Sequence, residues 1–185
     1  MEKWSYSSVV GMLLYLASNS RPDIAFATHQ CARFTHSPKA SHEAAILRIC
    51  RYLQGTKDDG LIFTPTTDLN VDCYVDADFA GLFGVEDPAD PISVKSRTGY
   101  VIMIANCPLL WVSKLQQEIS LSTQESECVA LSSSLRDVIP IQNLVKEVMV
   151  AVGLDVDKLN FVMKSTVFED NNAALTLATT KKTPP

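Results

Sequence analysis

The feature that most constrains the fold is a change in hydrophobic spacing part-way along the chain. Up to about residue 54 the apolar residues recur at helical spacing, as at Ile46, Ile49 and Leu53. From Leu69 to Asp78 they alternate with polar residues, as in a half-buried strand. The sequence therefore predicts a helical part followed by a part that contains a sheet, with the boundary near 56–68.

The helical part is expected to form three helices. A dense apolar run begins at Ser7, and Pro22-Asp23 is typical of a helix start, because proline suits the first turn and an acid there complements the helix dipole. Arg48 and Arg51 lie three residues apart and share one helical face. The expected helices are 7–17, 24–34 and 39–54.

The second part is expected to follow the order β-β-β-α-β-α. A turn is predicted at Cys107-Pro108, and the proline-containing segment 82–96 reads as an exposed loop. Ser122 or Thr123 is expected to cap the long helix, and Pro140 to kink or split it. Strands are expected at 61–63, 69–78, 98–105, 109–113 and 165–168, and helices at 120–149 and 170–179. This pattern predicts an α/β fold whose mixed sheet has three antiparallel strands and one parallel strand.

Composition supports a folded chain and argues against several classes of protein. The 185 residues are 46% hydrophobic and 20% charged, which is enough to bury a core. No apolar run reaches about 18 residues, so a soluble, intracellular protein without a membrane span is expected. The five cysteines include no C-x-x-C pair, which argues against zinc and disulfide frameworks. Glycine-rich phosphate loops, G-x-S-x-G elbows and H-E-x-x-H helices are also missing from the sequence.

Charge is distributed unevenly along the chain. Residues 1–57 carry seven Lys/Arg and three Asp/Glu, whereas the remainder carries nine basic and eighteen acidic residues. A basic segment can attract phosphate, and clustered carboxylates can hold divalent cations. An ordinary solvated surface of mixed sign would give the same counts, so charge alone leaves both interpretations open.

Three acids stand at the ends of predicted elements in the second part. Asp76 lies at the end of the first long strand, Glu127 lies in the first turns of the long helix, and Asp170 lies where the last strand meets the last helix. If the first and fourth strands are neighbours, these carboxylates converge on one crevice and need a cation between them. Hard oxygen ligands suit Mg²⁺ or Mn²⁺. Asp78 and Glu125 are rival ligands, although Glu125 and Glu127, two residues apart on a helix, cannot share a face.

Several blocks of the second part resemble the ribonuclease H domain of copia-type LTR retrotransposons. They are YVDADFAG (74–81), KSRTGYVI (95–102), WVSKLQQEISLSTQESECVAL (111–131) and FEDNNAALTLA (168–178). The first third, with SSVVGMLLYLA, RPDIAFA and the block 42–56, resembles the end of the reverse transcriptase, its thumb or connection. The resemblance runs in order along nearly the whole chain.

The resemblance implies a domain organisation and a reaction. Residues 1–57 would be the thumb or connection segment, and residues 68–185 a ribonuclease H-like domain that is truncated after Pro185, before a further helix and a fourth acid. Motif by motif, the catalytic and metal-binding acids would be Asp76, Glu127 and Asp170. They would hold two Mg²⁺ or Mn²⁺ ions and hydrolyse the RNA strand of RNA–DNA hybrids during reverse transcription.

The resemblance also implies partners and a location. The rest of the polyprotein and the hybrid are the expected partners, in the cytoplasm, in virus-like particles or in the nucleus. Recognition would use backbone shape and 2′-hydroxyls. The candidate contacts to nucleic acid are Arg48, Arg51, Lys114, Ser122 and Gln124.

Three other interpretations remain open from the sequence. The chain could bind hybrid or structured RNA without cleaving it, or it could be a structural remnant that supports a larger polymerase. It could also be a nuclease of the same type that acts on DNA. The two arginines could be ordinary solvated side chains of their helix.

Overall fold

The structure is a computed structural model that describes residues 4–87, 89–153 and 164–180. The chain divides into two compact units, Met1–Ile62 and Phe63–Pro185. In the described ranges, no helix is both long enough and apolar enough to cross a membrane. The point of truncation expected at Pro185 lies outside the described residues.

The described part of the first unit, residues 4–62, contains three α-helices, as the sequence predicts. Helix α1 spans Tyr6–Asn19, α2 spans Ala25–Ala32 after a 3-10 turn at Pro22–Ile24, and α3 spans Ala40–Gly55. Ser5 caps α1 by accepting a hydrogen bond from the backbone N–H of Ser8. The helices bury Val10, Leu13 and Ala17 of α1, Ala25 and Cys31 of α2, and Ile46 and Ile49 of α3.

Arg21 ties the middle of this unit to its end. Its guanidinium pairs with Asp23 at 2.6 Å and donates hydrogen bonds to the backbone oxygen and the hydroxyl of Thr56. The RPD sequence before α2 therefore also fixes the C-terminal end of α3. Such a planar, multiply bonded arginine suits a structural link better than lysine would.

The second unit is an α/β fold with an open, mixed four-stranded sheet. Strands β1 (Val71–Asp78), β2 (Arg97–Ile104) and β3 (Cys107–Leu115) pair antiparallel, and β4 (Ser165–Phe168) pairs parallel to β1. The strand order is β3-β2-β1-β4. Helix α4 spans Thr123–Ala151 and α5 spans Asn172–Thr179. The predicted α/β class and mixed sheet are confirmed.

The core of this unit lies between one face of the sheet and α4. Alternate residues of β1 and β2, such as Cys73, Val75 and Ile102, are buried against Ala130 and Val138 of the helix. Burial of such side chains is worth roughly 1.5–3 kcal/mol each. This packing fixes how α4 lies against β1, and so it positions the first turns of α4 relative to that strand.

Three details of the predicted elements are wrong. Residues 61–63 form no strand. The turn between β2 and β3 lies at Ala105 and Asn106, both with positive φ, and not at Cys107-Pro108. Pro108 instead lies within β3, at the edge of the described sheet, where its missing N–H is tolerated. Helix α4 continues through Pro140 as one element, so of the two outcomes expected there, a kink or a split, the split is wrong.

Candidate metal centre

Asp76 is positioned by the alternation of β1. The odd-numbered residues from Val71 to Ala77 are buried, whereas Tyr74, Asp76 and Asp78 are exposed. The side chain of Asp76 therefore points away from the apolar core, near the C-terminal end of a strand whose backbone is held on both sides by neighbours.

Glu127 is positioned by a reciprocal cap at the start of α4. The hydroxyl of Ser122 accepts a hydrogen bond from the backbone N–H of Glu125 at 3.1 Å, and the carboxylate of Glu125 accepts one from the N–H of Leu121 at 2.7 Å. Glu127 lies two residues further along and faces the sheet, with 6% of its surface exposed. The cap therefore fixes the turn of the helix from which this buried carboxylate projects.

Asp170 owes its position to the parallel pairing of β4 with β1. The register aligns Tyr74 with Phe168. Asp170 thus lies two residues beyond Phe168, as Asp76 lies two residues beyond Tyr74. Asn171 then caps α5 by accepting hydrogen bonds from the N–H groups of Ala173 and Ala174, both at 3.0 Å.

These elements bring three carboxylates together. One oxygen each from Asp76, Glu127 and Asp170 lies within 4.8 Å of the others. Asp76 and Asp170 are exposed and Glu127 is buried, so the group opens to solvent on one side. Three carboxylates from three separate elements form an oxygen-rich donor set of the kind that hard divalent cations prefer.

Burial and the neighbouring negative charges disfavour the ionised form of Glu127. Burial, followed by the charges of Glu169, Asp76 and Asp170, raises the pKa of Glu127 to about 7. Burial also raises the pKa of Glu169, which precedes Asp170. The Oε2 atoms of Glu127 and Glu169 are buried and have no hydrogen-bond partner in the described part of the chain. A bound cation would offset both the repulsion and the lost solvation.

Neither of the two rival acids belongs to the group of three. Asp78 does not belong to the group of three, and its carboxylate lies so close to Gly81 that a Cβ at that position would overlap it. Glu125 is committed to the cap of α4. The geometry therefore separates Asp76 and Glu127 from the neighbouring acids of the same motifs.

Comparison with known proteins identifies relatives but no structural template. No protein-family model and no solved structure matches the chain. It is 37% identical over 147 residues to the retrovirus-related Pol polyprotein from transposon TNT 1-94 of Nicotiana tabacum, covering 80% of this chain and 10% of that protein. It is 34% identical over 142 residues to the Pol polyprotein from transposon RE1 of Arabidopsis thaliana, covering 77% of this chain and 9% of that protein.

A third relative is similar in length to the aligned region. Secreted RxLR effector protein 161 of Plasmopara viticola is 34% identical over 139 residues, which cover 75% of this chain and 92% of that protein. The chain is homologous to one segment of retrotransposon Pol polyproteins. This Pol segment spans about a tenth of the length of the Pol polyproteins it matches.

The residues expected to contact nucleic acid lie in both units of the Pol segment. Arg48 and Arg51 are exposed on α3 in the first unit. Lys114 is exposed on β3 and lines a groove with Arg136 of α4. Ser122 caps α4, and the amide of Gln124 donates a hydrogen bond to the backbone oxygen of Ala173 at 3.2 Å. Those two side chains therefore already have structural roles.

Sequence reasoning missed Glu169. It is 9% exposed and, among the acids that act on Glu127, its charge has the largest effect. No sequence signal distinguished it, because an acid that directly follows a strand, next to another acid, is ordinarily a solvated surface residue. The strand alternation alone assigns no burial to a residue outside the strand.

Proposed function

We propose that the second unit of this Pol segment is a copia-type ribonuclease H-like domain that hydrolyses the RNA strand of RNA–DNA hybrids. The observation that carries the proposal is the convergence of Asp76, Glu127 and Asp170, within 4.8 Å, from a strand, a helix and a strand–helix junction. Residues 1–57 would then be the thumb or connection of the reverse transcriptase. The reaction would belong to reverse transcription, in the cytoplasm, in virus-like particles or in the nucleus.

The donor set fits a hard divalent cation. All three ligands are carboxylates, and the buried Oε2 of Glu127 has no hydrogen-bond partner in the described ranges. Asp76, Glu127 and Asp170 would hold Mg²⁺ or Mn²⁺, and the resemblance implies two ions. When bound, such cations supply a Lewis acid that generates a nucleophile from water and neutralises charge on the phosphate.

The residues of the chain contribute binding and orientation. The strand pairing of β1 with β4 holds Asp76 and Asp170 side by side, and the packing of α4 on the sheet brings Glu127 behind them. Since residues 58–185 have a net charge of −9, the phosphate backbone would approach this unit only with the acids neutralised. Arg48, Arg51 and Lys114 are the candidate phosphate contacts, and hybrid would be recognised by its shape and 2′-hydroxyls.

The test is cleavage of an end-labelled RNA–DNA hybrid in Mg²⁺ or Mn²⁺, with Asp76→Asn and Asp78→Asn as a matched pair. Both substitutions remove one charge from the exposed face of β1, but only Asp76 belongs to the group of three. We expect the protein and Asp78→Asn to cleave the RNA strand, and Asp76→Asn to give no more product than a reaction with EDTA.

The other outcomes identify the alternatives. Hybrid binding without product, unchanged by Asp76→Asn, would indicate a binding module. The absence of both hybrid binding and cleavage would indicate a structural role. Cleavage of duplex DNA at the rate of hybrid would indicate a DNA nuclease. Each of these results would overturn the ribonuclease H proposal.

A further inference from the structure

Glu169 is a fourth carboxylate on the buried side of the three-acid group. It directly follows β4 and is 9% exposed. One of its oxygens, Oε1, accepts a hydrogen bond from the backbone N–H of Asn171 at 3.0 Å. The other, Oε2, is buried and has no hydrogen-bond partner among the described residues. Burying such an oxygen without a partner is costly, so its environment must supply one or the fold carries the penalty.

Glu127, on α4, also has a buried carboxylate oxygen. Glu127 is 6% exposed, and within the described part of the chain its Oε2 also has no hydrogen-bond partner. Among the neighbouring acids, the charge of Glu169 acts on Glu127 more strongly than those of Asp76 and Asp170. Two buried oxygens without partners, one from α4 and one from the β4–α5 junction, thus lie within electrostatic reach of each other. The burial of these two Oε2 atoms is an observation separate from the distances among the three ligand oxygens.

We propose that Glu169 is a positioning residue of the cation site, an inference that rests on the proposed function. Glu169 is not in the group of oxygens within 4.8 Å, so direct coordination is assigned to Asp76, Glu127 and Asp170. Mg²⁺ and Mn²⁺ keep several waters when carboxylates bind them. The free oxygen of Glu169 accepts a hydrogen bond from this hydration layer, and its charge adds to the attraction for the cation. Residues that hydrogen-bond to the ligands of a metal, without binding it directly, commonly strengthen its binding.

A purely structural role makes a different prediction. The hydrogen bond from Asn171 to Oε1 could simply fix the turn before α5, whose cap is Asn171 itself. Glu169→Gln separates the two roles, because the amide keeps an oxygen acceptor for Asn171 and removes the charge. A turn-fixing residue would tolerate this substitution without any change in cation affinity.

The experiment measures Mn²⁺ binding by calorimetry and melting temperature with and without Mn²⁺, at about pH 8. The proteins are the full chain, Glu169→Gln, Asp170→Asn as the ligand variant, and Glu118→Gln as an exposed control. We expect Glu169→Gln to weaken Mn²⁺ binding roughly 10- to 100-fold. We also expect it to raise the melting temperature of the metal-free protein and to reduce the rise that Mn²⁺ produces. Glu118→Gln should behave as the unmodified chain.

The outcomes separate this inference from the proposed function. Unchanged Mn²⁺ affinity in Glu169→Gln, with binding lost in Asp170→Asn, would overturn the role of Glu169 and leave the three-acid site standing. Mn²⁺ binding that is absent from the unmodified chain, or indifferent to Asp170→Asn, would overturn both. Glu169→Ala, which also removes the acceptor for Asn171, is the second variant. Lower stability with full Mn²⁺ affinity in that protein would again assign Glu169 to the turn alone.

Discussion

The raised pKa of Glu127 makes the stability of the metal-free protein depend on pH in an unusual direction. In the folded chain the pKa is about 7, against 4.5 for an unperturbed glutamate, because of burial and then the charges of Glu169, Asp76 and Asp170. Between these values the folded state binds a proton that the unfolded state releases. The stabilisation is therefore fully present below pH 4.5 and is lost as the pH rises through about 7.

The size of this loss follows from the two pKa values. A change from 4.5 to about 7 corresponds to about 3 kcal/mol in the free energy of unfolding, at roughly 1.4 kcal/mol per pH unit. This is a large fraction of the roughly 5–15 kcal/mol that stabilises a typical domain. Glu127→Gln has no proton to lose at this position, so its stability should fall less steeply as the pH rises, with a remaining slope from Glu169, whose pKa is also raised. Above pH 7 it should exceed the stability of the unmodified chain by up to about 3 kcal/mol.

The assay is urea unfolding in EDTA at a series of pH values from 4.5 to 8. The chain has two tryptophans, Trp4 in the first unit and Trp111 in the second, so a Trp4→Phe background lets Trp111 fluorescence follow the second unit alone. Glu118→Gln, an exposed acid in the same unit, is the matched control and should keep the slope of the background. Equal slopes with and without the Glu127→Gln substitution would refute the reasoning, since they would show that this carboxylate titrates alike in both states.

Two further predictions concern the residues that support the site. Gly81→Ala should destabilise the protein by less than about 1 kcal/mol, because the new Cβ overlaps only the carboxylate of Asp78, an exposed side chain that can rotate away. The loss should shrink in an Asp78→Ala background while Mn²⁺ affinity stays unchanged; additive losses in this double-mutant cycle would contradict the proposed contact. Ser122→Ala should cost about 1 kcal/mol in urea unfolding through loss of the cap of α4. Ser132→Ala, exposed in the middle of α4, is its control and should cost nothing.

The elements that the sequence predicts well are those in which local pattern and tertiary packing agree. The strand 165–168 has the predicted bounds, and β1 begins two residues later than expected. The convergence of the acids followed from one assumption, that the first and fourth strands are neighbours. The parallel register of Tyr74 with Phe168 satisfies it, because it aligns the positions that precede Asp76 and Asp170.

The hairpin between β2 and β3 shows where local rules fail. Proline usually marks a turn, so Cys107-Pro108 was the expected position, but Ala105 and Asn106 have the positive φ values instead. Ala105 is also buried, and alanine has no intrinsic preference for this conformation. The pairing of β2 with β3 imposes the turn, and sequence patterns carry little information about that pairing.

Glu169 could not be found from the sequence for a different reason. An acid next to Asp170 and beyond the strand is ordinarily a solvated surface residue. It is nonetheless 9% exposed, and it interacts with Glu127 of α4 through its charge and with the backbone N–H of Asn171, the cap of α5, through a hydrogen bond. Strand alternation and helix periodicity each describe one element, so neither could distinguish it from an exposed neighbour.

The cap of α4 has a consequence for how such a chain tolerates sequence change. Because Ser122 and Glu125 fix the residue at which the helix begins, Glu127 keeps its angular position whatever happens in exposed positions further upstream. Residues such as Gln117 and Glu118 can therefore vary freely, whereas an insertion between Ser122 and Glu127 would rotate the carboxylate by about 100° per residue away from the sheet. Divergent copies of this segment should accept substitutions at those exposed positions, and they should lose cation binding when residues are inserted between Ser122 and Glu127.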